Sequence, residues 1–276
     1  MIPVFIPAPC ATRFVETCNP LEYTRRALGR ACGLLCGILI LSANSSAAPE
    51  TNPQPLFQAQ YEGKYSGMTI KSERKLSRNA DGSYRLDSEV KNFIASIRES
   101  SEFELSATSQ LQPQRYEYAR KVLGYKAYDS IDFDWQQQQA DTQRKDKPKR
   151  ARRLALEGNE LDPALYQLQL QADLYNGKTE LSYRVAKTNK IKSLAFEIVG
   201  KDVFTLAETA HNTLKIVLIN PDNDKNTTIW VIPDLSYQIA KIEHVEENGD
   251  TFTIRLTGFN QQEVQLHEFY RKTRNN

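Results

Sequence analysis

The chain has 276 residues, with 36 Lys+Arg against 34 Asp+Glu, a formal net charge of +2, 40% hydrophobic residues and 12 each of Gly and Pro. These values fit one ordinary globular domain or two small ones, and exclude a coiled coil, a collagen-like chain, a mostly disordered chain and a multi-span membrane protein. All four cysteines (Cys10, Cys18, Cys32, Cys36) lie in the first 36 residues, so the body has neither a disulfide framework nor a cysteine zinc site.

The chain opens with the order of a secretory signal. Arg25, Arg26 and Arg30 precede an apolar run over 31–41, and small residues follow over 42–48. The run has 11 residues, against the ~20 that a spanning helix needs. Cys36 follows Leu34-Leu35 and Cys32 follows Arg30-Ala31, both poor matches to a lipoprotein signal. The expectation is a signal peptide at 1–47 cut near Ala48, a linker at 48–54, no permanent membrane anchor and a soluble periplasmic product. The signal holds four arginines and two glutamates, so the remainder balances at 32 bases against 32 acids. A neutral exported chain lacks the electrostatic footprint of a nucleic-acid binder.

From Phe57 the pattern is alternation, the period of a half-buried strand. It runs through Phe57-Ala59-Tyr61, Tyr84-Leu86-Val90, Phe93-Ala95-Ile97, Phe103-Leu105-Ala107, Tyr116-Tyr118 and Ile131-Phe133-Trp135. Asn79-Ala-Asp-Gly82 reads as a turn between two such runs. A basic stretch over 140–153 reads as an exposed loop before a short Leu154-Leu156 strand. Asp162-Pro163 then caps a helix near 162–176, with Leu165, Leu168, Ala172 and Tyr175 at helical spacing and Asn176-Gly177 as the stop. Alternation resumes at Leu181-Tyr183-Val185 and continues through Leu194-Phe196-Ile198, Leu214-Ile216-Leu218, Ile229-Val231, Ile239 with Ile242, and Phe252-Ile254-Leu256. Asn248-Gly249 marks a tight hairpin before the last of these. The fold class expected is mainly β: a large curved antiparallel sheet, an open or partly closed barrel, carrying one packed amphipathic helix. It forms a single domain over 55–260, with a polar C-terminal tail over 261–276.

Chemistry-bearing motifs are sparse. His211, His244 and His267 lie more than 20 residues apart and form no metal-ligand spacing, and His244 reads as solvent-facing. Asp132 and Asp134 share one face of a strand whose other face is Ile131, Phe133 and Trp135, so they mark its wet side. No nucleophile elbow, phosphate loop or zinc-peptidase helix is present. No cofactor, metal or catalytic residue is expected. Residues 144–153 hold seven bases and one acid. Arg144, Lys145, Lys147, Lys149, Arg150, Arg152 and Arg153 are therefore candidates for contact with an anionic surface, against the alternative of a solvated loop. Trp135, Leu165, Leu168 and Trp230 are candidates for lining an apolar cavity or for filling the core.

Several segments recur together in a known order. These are Phe57-Gln-Ala-Gln-Tyr61, Asn79-Ala-Asp-Gly-Ser-Tyr-Arg-Leu86, Glu99-Ser-Ser-Glu-Phe103, Leu111-Gln-Pro-Gln-Arg-Tyr116, Ile131-Asp-Phe-Asp-Trp135, Tyr166-Gln-Leu-Gln-Leu170 and Thr228-Ile-Trp230. In this order the chain resembles the proteobacterial exported domain-of-unknown-function family 3108, over about residues 55–260. That family implies no reaction and no catalytic residues. A weaker resemblance runs to the periplasmic lipoprotein carriers, half-barrels whose helices cover a concave apolar face. Their lid is more extensive than the single helix read here. The resulting expectation is a non-catalytic periplasmic protein of the cell envelope, binding an apolar or lipidic ligand or an envelope protein on a curved sheet. The alternatives are a structural or protein-interaction module without ligand, and an enzyme assembled from distant strands.

Overall fold

The computed structural model describes residues 55–65, 68–219, 226–245 and 251–274. The signal at 1–47, the linker at 48–54 and the Asn248-Gly249 turn lie outside these residues.

Among the described residues, fifteen strands and two α-helices follow in chain order. The first eight strands are β1 (Pro55–Tyr65), β2 (Met68–Arg78), β3 (Tyr84–Lys91), β4 (Ala95–Leu105), β5 (Leu111–Val122), β6 (Tyr125–Asp134), β7 (Gln139–Arg144) and β8 (Arg152–Ala155). A short β9 (Glu160–Leu161) leads to helix α1 (Leu165–Tyr175). Then come β10 (Leu181–Lys187), β11 (Lys190–Leu206), β12 (Thr209–Ile219), β13 (Asn226–Ile232), β14 (Gln238–Val245) and β15 (Thr251–Gln261), followed by α2 (Glu263–Lys272).

All strands join one sheet in the order β8-β7-β6-β5-β4-β3-β2-β1-β15-β14-β13-β12-β11-β10-β9. Neighbours in sequence are neighbours in space, as short connections demand. The one long-range step is β1 against β15, Phe57 opposite Gln261. Among the described strands only β9 and β10 run parallel. The sheet is not closed into a barrel, and β8 and β9 are its edges. The alternation read from the sequence sets its faces, with Tyr84, Leu86 and Val90 buried on β3 and Ile97, Glu99, Ser101 and Phe103 buried on β4. The 79–83 turn forms as expected, with Asp81 accepting the Ser83 N–H at 2.9 Å and Gly82 at φ +91°.

The sheet curls around α1. Strands from both arms reach that helix: Arg74 on β2 and Ser101 on β4 from one side, Tyr183 on β10 and Gln238 on β14 from the other. As a result the helix is buried on all sides, including Gln167, Gln169, Gln171 and Asp173. This corrects the amphipathic reading, because the side that looked wet meets protein amides and hydroxyls instead of solvent. The Asp162 carboxylate does cap the helix, accepting the N–H groups of Ala164 at 2.7 Å and Leu165 at 2.9 Å. The helix proper begins at Leu165, two residues after Pro163.

Three further expectations are corrected. The polar tail at 261–276 contains α2, whose Leu266, Phe269 and Tyr270 are buried on the core. The basic loop at 140–153 is largely a hairpin, because β7 and β8 pair from Gln139 opposite Ala155 to Thr142 opposite Arg152, leaving only 145–151 as turn. Phe93 belongs to no strand. It sits in the β3–β4 turn and points outward.

Candidate functional site

Two places concentrate chemistry-bearing side chains. The first is inside. Arg74 on β2 is buried, with Nη2 donating to the Ala164 carbonyl at 3.2 Å and Nη1 to Gln171 Oε1 at 3.4 Å. Glu99 on β4 accepts the Tyr116 hydroxyl at 2.5 Å. Asp162 accepts the Ser101 hydroxyl besides its two capping bonds. Burial pushes the Glu99 carboxyl up to about 8 and Asp162 up to about 6, against hydrogen bonds that favour the charged forms. Burial also lowers the Arg74 guanidinium from its usual range. A raised carboxyl is a common sign of acid–base catalysis. Here Arg74, Glu99 and Asp162 are all buried beneath α1, and what they touch is the helix, its cap and the strands beside it. The arrangement clamps α1 to the sheet.

Leu165 and Leu168 fill the adjacent core, and Tyr166 stacks on Phe196 at 6.0 Å. Trp135 is half-buried, stacked on Phe133 at 5.6 Å, with Nε1 donating to the Pro113 carbonyl at 2.7 Å. Trp230 lies on the opposite face of the sheet from Ile229. Its cross-strand partners there are Lys215 and Lys241, whose ammonium groups lie 5.6 and 4.3 Å from its ring. Its Nε1 donates to Asp202 at 3.3 Å. The four apolar candidates therefore do not converge on one cavity. His244, expected at the surface, is buried with Nδ1 2.8 Å from the Thr227 hydroxyl. Asp132 pairs with Arg115 at 2.7 Å and Asp134 accepts the Gln137 N–H at 2.9 Å, both on the wet side as read.

The second place is one end of the sheet. Alternating strand direction sends the β3–β4, β5–β6, β7–β8 and β10–β11 turns to the same end. The Thr142 hydroxyl, donating to the Thr188 carbonyl at 2.9 Å, brings the last two together. Of the seven basic candidates, Arg144 pairs with Asp129 at 3.2 Å and Arg153 with Asp141 at 2.8 Å. Lys145 lies 4.0 Å from the Tyr128 ring centroid. The Arg152 guanidinium donates to the carbonyls of Lys149 at 3.2 Å and Ala151 at 2.7 Å. Lys147, Lys149 and Arg150 are exposed at the turn.

Bases that the sequence did not single out join them. An open groove of about 510 Å³ beside the turn is lined by Arg98, Arg120, Lys121, Lys126 and Lys145, with Asp146 as its one acid. Lys121 stands directly opposite Lys126 across β5 and β6, and Lys187 directly opposite Lys190 across β10 and β11. Like charges placed directly opposite are destabilising. Burial, reinforced by Lys192 and Lys190, pushes Lys187 down to about 8. Pairing in the fold was needed to see these juxtapositions. The one local signal was Lys121-Val-Leu-Gly-Tyr-Lys126, a glycine turn bracketed by two lysines.

A family model described as "Protein of unknown function (DUF3108)" matches residues 60–257. None of the curated proteins matches the chain. Among solved structures, the chain is similar to a beta-barrel-like protein of domain of unknown function DUF1849 from Brucella abortus, at 9% identity and a TM-score of 0.48, covering 75% of this chain and 97% of that one. It is also similar to MucB in complex with MucA(peri), at 11% identity and a TM-score of 0.30, covering 76% of this chain and 51% of that one. The Pseudomonas aeruginosa MucA/MucB complex matches at 12% identity and a TM-score of 0.30, over 78% and 56%. The chain thus spans about half the length of the MucB chains it matches.

Proposed function

The chain belongs to the DUF3108 family, and we propose that it is a non-catalytic, periplasmic protein of the cell envelope that docks on anionic lipid headgroups through the basic end of its sheet. The observation that carries this reading is the gathering of Lys147, Lys149, Arg150 and Arg152 beside a groove with five bases and one acid. Residues 48–276 are neutral overall, so this field is local and not a by-product of net charge. Each base near an anionic membrane adds ~1 kcal/mol of attraction. The interior supports an external surface over an enclosed lipid, because α1 occupies the space that the curved sheet surrounds. Asp162 supports a structural role over catalysis, since its carboxylate is engaged by the Ala164 and Leu165 N–H groups and the Ser101 hydroxyl. Among the described residues no helix is long and apolar enough to cross a membrane.

The test is vesicle sedimentation with protein purified from the periplasm. Binding to vesicles rich in phosphatidylglycerol is expected to exceed binding to phosphatidylcholine vesicles by tenfold or more. It is expected to fall steeply as salt shortens the screening length from ~10 Å at 0.1 M to ~3 Å at 1 M. Replacing Lys147, Lys149, Arg150 and Arg152 by Gln removes it with little change in melting temperature. Equal binding by wild type and the fourfold variant returns the end to ordinary solvated sequence.

A further inference from the structure

The same end of the sheet carries apolar side chains that its charges do not explain. Phe93, in the β3–β4 turn, is 89% exposed and Leu123, in the β5–β6 turn, 77%; Tyr125 beside them is engaged by the groove, its hydroxyl donating to Asp146 at 2.9 Å and Arg120 lying 6.0 Å from its ring centroid. The two turns touch, because the Leu123 N–H donates to the Ile94 carbonyl at 3.1 Å. Together they make one apolar tip. Isolated exposed apolar residues are ordinary, but a cluster of large ones marks an interaction site.

Both turns are built to hold these residues outward. In the first, the Asn92 side chain accepts the N–H groups of Ile94 at 3.0 Å and Ala95 at 2.7 Å, while Asn92 N–H donates to the Ala95 carbonyl at 2.9 Å. This closed set of bonds leaves Phe93 at the apex. In the second, Leu123 and Gly124 take φ values of +47° and +86°. Such two-residue turns favour Asn-Gly, and a leucine at positive φ is strained. Leu123 is thus unfavourable locally on two counts, exposure and backbone. The tip is bracketed by exposed Lys91, Lys121 and Lys126 and borders the basic groove.

We propose that Phe93 and Leu123 are anchors that enter the acyl boundary of an anionic bilayer while the surrounding bases hold its headgroups. The occupant is argued from complementarity. A bilayer interface offers negative charge at its surface and hydrocarbon a few ångströms below, the order in which this end presents bases and apolar tips. Pairing a short apolar insertion with a basic patch is how a peripheral protein secures membrane contact that neither gives alone. This inference rests on the headgroup surface proposed above and adds insertion to it.

The experiment uses the full protein and phosphatidylglycerol-rich vesicles. The double variant Phe93→Ser/Leu123→Asn is expected to bind about tenfold or more weakly at 0.1 M salt, the loss scaling with two apolar side chains no longer buried. Its melting temperature is expected to match or exceed that of wild type, because asparagine suits the turn that leucine strains. In a second arm, a Phe93→Trp variant should shift its emission to the blue on binding and be quenched by bromine placed on the acyl chains. If the double variant binds as tightly as wild type and bromine does not quench, insertion is overturned while the charged surface stands. If wild type binds no anionic vesicle at all, both readings fall together.

Discussion

Glu99 is a charged residue in the apolar phase of its strand, between Ile97 and Phe103 on one face. Alternation puts Glu99 and Ser101 in phase with Ile97 and Phe103 on β4, and Ser72 and Arg74 in phase with Ile70 and Leu76 on β2, so the pattern marks their face as the buried one although the residue types read as wet. What no local pattern shows is their partners: Ala164 lies 90 residues from Arg74 and Asp162 61 residues from Ser101. Asp162 was legible because its partners, the N–H groups of Ala164 and Leu165, are two and three residues away. The Glu99 carboxyl is raised from 4.5 to about 8 by burial, so the folded state holds a proton that the unfolded chain releases above pH 4.5. Its effect is therefore fully stabilising below about pH 4.5 and is lost as pH rises towards 8, at up to ~1.4 kcal/mol per pH unit. Asp162, raised from 3.8 to about 6, adds the same slope at lower pH and has finished by neutrality. Denaturant melts should show stability falling between pH 6 and 8. Glu99→Gln should flatten that slope and be the more stable protein at pH 8, since an amide keeps the acceptor for Tyr116 and cannot ionise. A wild-type profile level from pH 6 to 8 would show that Glu99 is already charged inside the fold.

At the scale of elements, α1 was legible by its ends and not by its surroundings. Asp162-Pro163 and Asn176-Gly177 bracket it in sequence, yet nothing local shows that Gln167, Gln169 and Gln171, polar residues in a helix expected to be amphipathic, are buried. In the structure Gln169 bonds to Asp173 at 3.0 Å and to the Leu111 N–H at 3.3 Å, and Gln171 bonds to Gln238 at 3.3 Å. Polar residues on this helix are therefore seals between it and the sheet. Helix α2 escaped because it is short and mostly polar. Its signal was there in Leu266, Phe269 and Tyr270, spaced i, i+3, i+4, which place Phe269 4.9 Å from Tyr84 and 6.3 Å from Phe103 between ring centroids. Enclosure makes α1 costly to thin. Leu168 is fully buried, and Leu168→Ala should lower stability by ~2–5 kcal/mol in denaturant melts. A loss below ~0.5 kcal/mol would mean that neighbouring side chains collapse into the space, which a helix gripped from both arms of the sheet does not allow.

For the whole molecule, local reading reached the β-rich class, the large antiparallel sheet and turns such as 79–83, which joins strands that pair. It did not reach the β1–β15 step, which joins residues about 200 apart. One trace of it was in view. Gly63 on β1 approaches β15 so closely that a Cβ there would lie 2.1 Å from the Thr253 carbonyl oxygen. A glycine inside a strand often marks such an approach. This pairing and α1 together make the two arms of the sheet depend on each other. The arm from β1 to β8 places Arg74, Glu99 and Ser101 on its inner face, and their partners or cover come from α1 and its cap, beyond residue 161. Cut off there, the arm would hold a buried-type guanidinium and carboxyl against an open apolar surface, a state that costs more than it gains. A fragment ending at Leu161 should therefore show no cooperative unfolding transition and should bind a hydrophobic dye, whereas the full chain should unfold in one transition. Non-local pairing of this kind also slows folding, so refolding of the full chain should take milliseconds to seconds rather than microseconds. A sharp denaturant transition in the fragment would show that the β1–β8 arm holds its own core, and that α1 is a late addition to it rather than the element around which both arms assemble.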